Sequence, residues 1–267
     1  MSNIIKEIKY FPCGYCTNEI SRIFKGVSKR KLNFYAGVFL IKHQKYGYVL
    51  YDTGYSMKLL KNSIKYSVYK GMNPVTLKRE DMIDSHLKNS GIKTEEIKYI
   101  ILSHFHPDHI GGLEYFPEAE IIVTEDSFRE YKKPSLKSLI FREFLPENFE
   151  ERLNIINVKQ KNKNVHGSGG YDLFNDGSLF LTSVNGHSKG QCCAFFPERN
   201  LFIASDICWG IELLPLTDKM KLLPKLIQNN FSEYRGGTEI LKKLMEKGVN
   251  VIVSHDPPER IRGILNE

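Results

Sequence analysis

Short apolar runs, most of them ended by a turn residue, recur along this chain. The clearest are Phe34 to Ile41, Tyr46 to Tyr51, Tyr99 to Ser103 and Ala119 to Thr124. Others lie at Ser178 to Val184, Cys192 to Phe196, Leu201 to Ser205 and Val249 to Ser254. Runs of this length and composition predict strands. The first two are expected to pair, turning near His43-Gln44-Lys45. Arg79 to Ser90 predicts a helix, because Met82, Ile83 and Leu87 recur near helical spacing and Gly91 stands at the C-terminal stop. Further helices are expected at Asp126 to Tyr131, Thr217 to Asn229 and Ser232 to Lys247. Lys132 to Phe149 has two prolines and the apolar anchors Phe141, Phe144, Leu145 and Phe149, and its element type is open. Lys159 to Gly170, rich in Lys, Asn, Gly and Ser, predicts a mobile loop. Alternating strands and helices make this an α/β chain, and no short sequence repeat is present.

The chemistry sits at the ends of these strands. After Tyr99 to Ser103 comes His104-Phe105-His106-Pro107-Asp108-His109, followed by Gly111-Gly112. Imidazole nitrogen and carboxylate oxygen are ligands that zinc takes in catalytic sites. His104 and His106 are two apart, so an extended segment points both to one side. Asp108 and His109 follow where the chain must turn and can face a second ion. His187 follows another apolar run, in Gly186-His187-Ser188. Asp206 follows Leu201 to Ser205, and His255 follows Val249 to Ser254. Each alone is more often structural. Together they place three further ligands at strand ends that can converge on the first motif. Seven ligands with Asp206 as a bridge suit a two-metal hydrolytic centre.

Asp52-Thr53-Gly54 also marks aspartic proteases, but those need two facing carboxylates, and this tripeptide occurs once. In the metallo-β-lactamase superfamily, which the motifs above resemble, an Asp at this place supports the ligand loop, and that resemblance implies that Asp52 fixes the tautomer and orientation of a ligand histidine.

These motifs, with Tyr10-Phe11-Pro12-Cys13-Gly14 and Val49 to Gly54, resemble the metallo-β-lactamase superfamily of metallohydrolases, and within it the N-acyl homoserine lactonase branch. The resemblance runs along most of the chain. It implies a four-layer αβ/βα sandwich, with metals at the edge of the two sheets, formed by residues 1–267 as one domain. It implies two zinc ions (Zn²⁺) per chain: His104, His106 and His187 on one, Asp108, His109 and His255 on the other, and Asp206 between. Histidine at position 106 favours zinc, where a Glu would suit di-iron redox relatives; iron or manganese remain alternatives. The implied reaction is attack of a metal-bridging hydroxide on a lactone, ester or thioester carbonyl, with Asp108 shuttling the proton to the leaving group.

The chain departs from the lactonase pattern at Trp209. Those lactonases carry there a tyrosine whose hydroxyl reaches the lactone. Indole N–H donates one hydrogen bond and accepts none. From its place three residues after Asp206, Trp209 is expected to line the substrate pocket and shift specificity, with plain packing in the core as the alternative. The same scaffold serves phosphodiesters, which keeps a phosphodiesterase or nuclease as the alternative. A metal-bound protein that recognises a ligand without turnover is a third reading.

Composition narrows the setting. The 267 residues are 41% hydrophobic and 26% charged, enough for a sizeable core. The apolar stretch Tyr35 to Ile41 is far too short to span a bilayer, and Met1 to Glu7 lacks a signal-peptide apolar run. Cytoplasmic residence and no membrane partner are expected. Five cysteines fit a disulfide framework poorly; they are expected to be buried or free, with Cys208 close enough to Asp206 to approach the metals. The net charge of +7 and pI of 9.0 invite a nucleic-acid reading. Yet the basic residues are scattered, with no long stripe interleaved with aromatics. A solvated Lys-rich surface and a small-molecule substrate are the expectation.

Overall fold

The computed structural model describes residues 3–135, 137–159, 163–165 and 168–267. Its first sheet comprises β1 (Ile5–Glu19), β2 (Lys31–His43), β3 (Gly47–Tyr51), β4 (Val75–Thr76), β5 (Ile97–Ile101), β6 (Glu120–Thr124) and β7 (Leu153–Ile156). They lie in the order β4-β1-β2-β3-β5-β6-β7. The second sheet holds β8 (Lys163–Val165), β9 (Ser168–Asp172), β10 (Phe180–Ser183), β11 (Cys192–Phe196), β12 (Leu201–Ile203) and β13 (Asn250–Ile252). Its order is β13-β12-β11-β10-β9-β8. The α-helices are α1 (Ile20–Ile23), α2 (Ile64–Met72), α3 (Ile83–Asn89), α4 (Pro107–Ile110), α5 (Glu125–Lys132), α6 (Leu222–Ile227), α7 (Phe231–Glu246) and α8 (Pro258–Leu265).

The apolar runs are continuous because their strands are covered on both faces. In β3, Val49 and Tyr51 join Tyr10, Phe39 and Ile101 in a core shared with Leu181, Ala194 and Ile203 of the second sheet. Leu50, between them, packs on the opposite face with Ile83 and Leu87 of α3. Across the molecule, Cys192 faces the inter-sheet core while Cys193 packs with Leu241 and Leu244 of α7. Strand alternation thus sorts neighbouring residues into separate layers, and the helix–sheet–sheet–helix sandwich follows.

β3, β5 and β6 run parallel, as do β12 and β13. Asp52, Ser103, Ser205 and Ser254 therefore leave their strands at one edge, where side chains of several loops can meet.

Several elements differ from the expectation. β1 was not foreseen, because Pro12 and Gly14 argue against a strand. A register shift between Pro12 and Tyr15 absorbs them, with Gly14 at φ +86°. The helix expected over Arg79 to Ser90 is a 3₁₀ turn at Arg79–Asp81 and then α3, divided at extended Met82. Thr217 to Asn229 is likewise not one helix: a 3₁₀ stretch at Ile211–Lys219 precedes α6, and Lys221 between them is extended. Within the expected loop at Lys159 to Gly170, β8 and β9 form an antiparallel ladder. Residues 160–162 and 166–167 of that loop lie outside the described residues.

Candidate metal centre

β5 ends at Ile101 and leads into Ser103 and His104. His106 then caps α4, one turn begun by Pro107, whose fixed φ suits a first helical position. That turn swings Asp108 and His109 round to the far side of His104. β10 leads to His187, β12 to Asp206 through left-handed Ser205 (φ +49°), and β13 to His255.

All seven residues meet. One ligand atom each from His104, His106 and His187 forms a first group, and one each from Asp108, His109, Asp206 and His255 a second; within a group all lie within 4.8 Å of one another. In the first, His106 Nδ1 is 2.9 Å from His104 Nε2 and 3.0 Å from His187 Nε2. Asp206 lies between the groups: its Oδ2 is 2.9 Å from His255 Nε2, 3.4 Å from His187 Nε2 and 3.6 Å from His109 Nε2. Asp108 Oδ2 is 3.5 Å from His109 Nε2.

The outward nitrogens are held by other partners. His109 Nδ1 donates to Asp52 Oδ2 at 2.7 Å, and Asp52 also accepts from the Ser103 amide and hydroxyl. His187 Nδ1 donates to Gln228 Oε1 at 2.9 Å, and His255 Nδ1 to the Tyr35 carbonyl at 2.7 Å. Each bond turns Nε2 inward, as outer partners of metal-bound histidines do. Asp52 thus takes the place expected of it. Gln228 and Tyr35 had no local signal, since only the tertiary fold brings them to the histidines.

The donor set fits divalent cations. Among the described residues, His109 Nε2 and Asp206 Oδ1 are buried without a hydrogen-bond partner, a costly state that a coordinated cation relieves. Burial, reinforced by neighbouring imidazoles, pushes His104 well below the ordinary histidine range and His106 down to about 3. Burial also lowers His187. Neutral imidazoles with converging lone pairs are the form that binds metal. Burial opposes charge on His255 and Asp108 too, but the Asp206 carboxylate raises His255 to about 9, and His109 holds Asp108 near 2.

Above the ligands lies a pocket lined by Ile23, Phe34, Tyr69, Leu139, Trp209 and Ile227, together with His106, Asp108, His187, Asp206 and His255. Trp209 lines it, its ring edge-on to His187 with centroids 6.2 Å apart. The Ile211 amide two residues on donates to Asp256 Oδ1 at 2.9 Å, which ties the Trp209 loop to that of His255. Tyr69 and Tyr55 also line the pocket, with buried hydroxyls 3.5 Å apart. Neither was singled out from sequence: Tyr69 lies on α2, remote in sequence from the metal motif, and Tyr55 follows Asp52-Thr53-Gly54 with no spacing rule to mark it. All five cysteines are buried and unpaired. Cys208 joins neither ligand group, its thiol lying 3.4 Å from the Gly210 carbonyl oxygen. Cys16 lines the pocket instead.

His187 depends on a tight contact behind it. Gly186 has φ +132°, and a Cβ there would lie 2.3 Å from the Tyr234 amide nitrogen of α7. Gly186→Ala is expected to push the His187 loop from the helix and to destabilise the fold by about 1–3 kcal/mol. Urea denaturation reads this directly, and an unchanged midpoint would show that loop and helix yield freely.

The family model described as the metallo-beta-lactamase superfamily matches residues 36–208. An N-acyl homoserine lactonase of Bacillus thuringiensis is 26% identical over 195 residues, covering 69% of this chain and 78% of its own. A cytochrome P450 monooxygenase, mpaDE′ of Penicillium brevicompactum, is 29% identical over 153 residues, 54% of this chain. That match spans only 18% of the fungal protein. Among solved structures, an N-acyl homoserine lactone hydrolase with the product N-hexanoyl-L-homoserine at its catalytic metal centre superposes with TM-score 0.73. It is 20% identical, and the match covers 97% of this chain and 96% of that one.

Proposed function

Starting from a chain that belongs to the metallo-β-lactamase superfamily, we propose that residues 1–267 form one domain that hydrolyses a lactone, ester or thioester with two metal ions. The observation that carries this is the pair of ligand groups with Asp206 between them, at the floor of an apolar pocket. His104, His106 and His187 would hold one ion, and Asp108, His109 and His255 the other, with Asp206 shared. Zinc suits these nitrogens and carboxylates best, and iron or manganese satisfy the same donors. Bound divalent ions supply an activated water at neutral pH and Lewis-acid polarisation of a carbonyl.

The chain's own groups do the rest. Asp108 faces the pocket and carries a proton at its carboxylate toward the departing alkoxide. The Tyr69 hydroxyl, backed by Tyr55, and the Trp209 indole N–H are donors that orient the substrate's polar head. The apolar walls accept an acyl arm and exclude water. Five reduced thiols suit a cytoplasmic protein. A panel of lactones, thioesters and phosphodiesters tests the reading with the zinc-loaded protein. Ring opening or thioester cleavage supports it; turnover of phosphodiesters alone overturns it in favour of a nuclease.

Trp209 sets preference within that class. Trp209→Tyr adds a hydroxyl close to the reacting carbonyl and frees pocket volume. One such hydrogen bond is worth about 0.5–1.5 kcal/mol, so kcat/KM for a homoserine lactone should rise about three- to tenfold relative to a thioester. If both substrates respond equally, Trp209 serves packing and not selection.

A further inference from the structure

Seven of the ten large hydrophobic side chains exposed among the described residues fall on two short segments. Leu60, Ile64, Val68 and Met72 lie just before and along α2; Leu222, Leu223 and Leu226 lie on α6. Ile64 is 87% exposed and Leu222 71%. On α2, Ile64, Val68 and Met72 are spaced i, i+4, i+8 and form one outward stripe, while Tyr66 and Tyr69 are buried on the inner side. Tyr69 and the C-capping Asn73 line the pocket, as does Ile227 at the end of α6. Both apolar segments therefore border the mouth of the same pocket.

Their charge is one-sided. Residues 53–79 and 219–232 contain no Asp or Glu, but carry Lys61, Lys70, Lys219 and Lys221 among their basic residues. Among the described residues, none of these four lysines has a carboxylate within ion-pair distance. The neighbouring Lys58 and Lys65 do, on Glu114 and Glu143.

We propose that the rim formed by α2 and α6 docks the pocket mouth on an anionic membrane surface. Exposed aliphatic side chains interleaved with lysines are what an interfacial segment presents: the apolar groups enter the acyl boundary while the ammonium groups meet lipid phosphates. A second copy of the chain would fit poorly, because a two-fold contact sets the same lysine-bearing patch against itself. Nucleic acid would use aromatic faces for stacking, whereas the exposed groups here are aliphatic. The docking is peripheral, since no described helix is long and apolar enough to cross a membrane. The expectation of no membrane partner rested on spanning length, which peripheral docking does not need. Docked this way, the pocket receives substrates whose acyl chains reside in lipid. The docking itself does not depend on the hydrolase reading.

Flotation of the full chain with vesicles tests it without turnover. The protein should float with equimolar phosphatidylglycerol and phosphatidylcholine at 0.15 M salt, and much less with phosphatidylcholine alone or at 0.5 M salt. Lys61→Gln with Lys70→Gln should lower the partition coefficient roughly twenty-fivefold, at about fivefold per lysine beside an anionic surface. Ile64→Ser with Leu222→Ser should lower binding while leaving the thermal midpoint unchanged, because both side chains are exposed. Wild-type protein left unbound by the anionic vesicles overturns the proposal, as do variants that float as well as wild type. A stable dimer dissolved by Leu222→Ser overturns it too, assigning the face to a second copy.

Discussion

His106→Ala is expected to lose metal and hydrolysis together, with the loss of metal affinity exceeding ~100-fold. The reason is its position as hub of the first ligand group, 2.9 Å from His104 Nε2 and 3.0 Å from His187 Nε2. Removing it takes one of the three imidazoles from this ion and leaves two, with only the shared Asp206 carboxylate beside them. Outer partners of metal-bound histidines are alone worth ~10–100-fold in affinity, so direct loss of a nitrogen should cost more. The fold should persist, because His106 lies at the pocket floor and not in the packed layers of the sandwich. Elemental analysis and lactone turnover on the same preparation read both effects. A His106→Ala protein that keeps its full metal content and rate would remove this residue from the ligand set.

Asp108→Asn should separate chemistry from binding. The amide matches the carboxylate in size and keeps an oxygen for coordination, but it cannot take up a proton at neutral pH. General acid–base assistance is typically worth ~10²–10⁴-fold, so kcat should fall by that amount while metal content stays close to wild type. Asp108 is placed for both roles: it borders the pocket, and its Oδ2 is 3.5 Å from His109 Nε2 and 3.8 Å from His255 Nε2. Full occupancy with unchanged kcat would leave Asp108 a ligand only. Parallel loss of metal and rate would show that its charge mainly holds the ion.

The cluster of seven candidate ligands was legible because each member carries a local signal. His104 and His106 are a strand period apart, α4 begins at Pro107, and His187, Asp206 and His255 each follow an apolar run that did become a strand. Those runs are unambiguous because both of their faces are buried. What could not be read depends on distant contacts. Pro12 and Gly14 hid β1, since a bulge that tolerates them is defined only by its pairing with β2. α2 was not read as a helix, because Ile64, Val68 and Met72 form an outward apolar stripe while the buried Tyr66 and Tyr69 lie on the inner side. Pro224 lies within α6, and extended Lys221 divides the expected long helix. Gln228 and Tyr69 reach the centre from elements remote in sequence, with no spacing rule to mark them. Position 209 was informative through its departure from the lactonase tyrosine, and the pocket does contain the indole.

The most direct test of the central claim is a zinc titration of chelator-stripped protein with lactone and thioester hydrolysis followed at each addition. Two ligand groups sharing Asp206 predict a rate that rises with added zinc and reaches its plateau at two ions per chain, with elemental analysis agreeing. Full activity at one ion per chain, or no cleavage of either substrate at any loading, would contradict the dinuclear hydrolase.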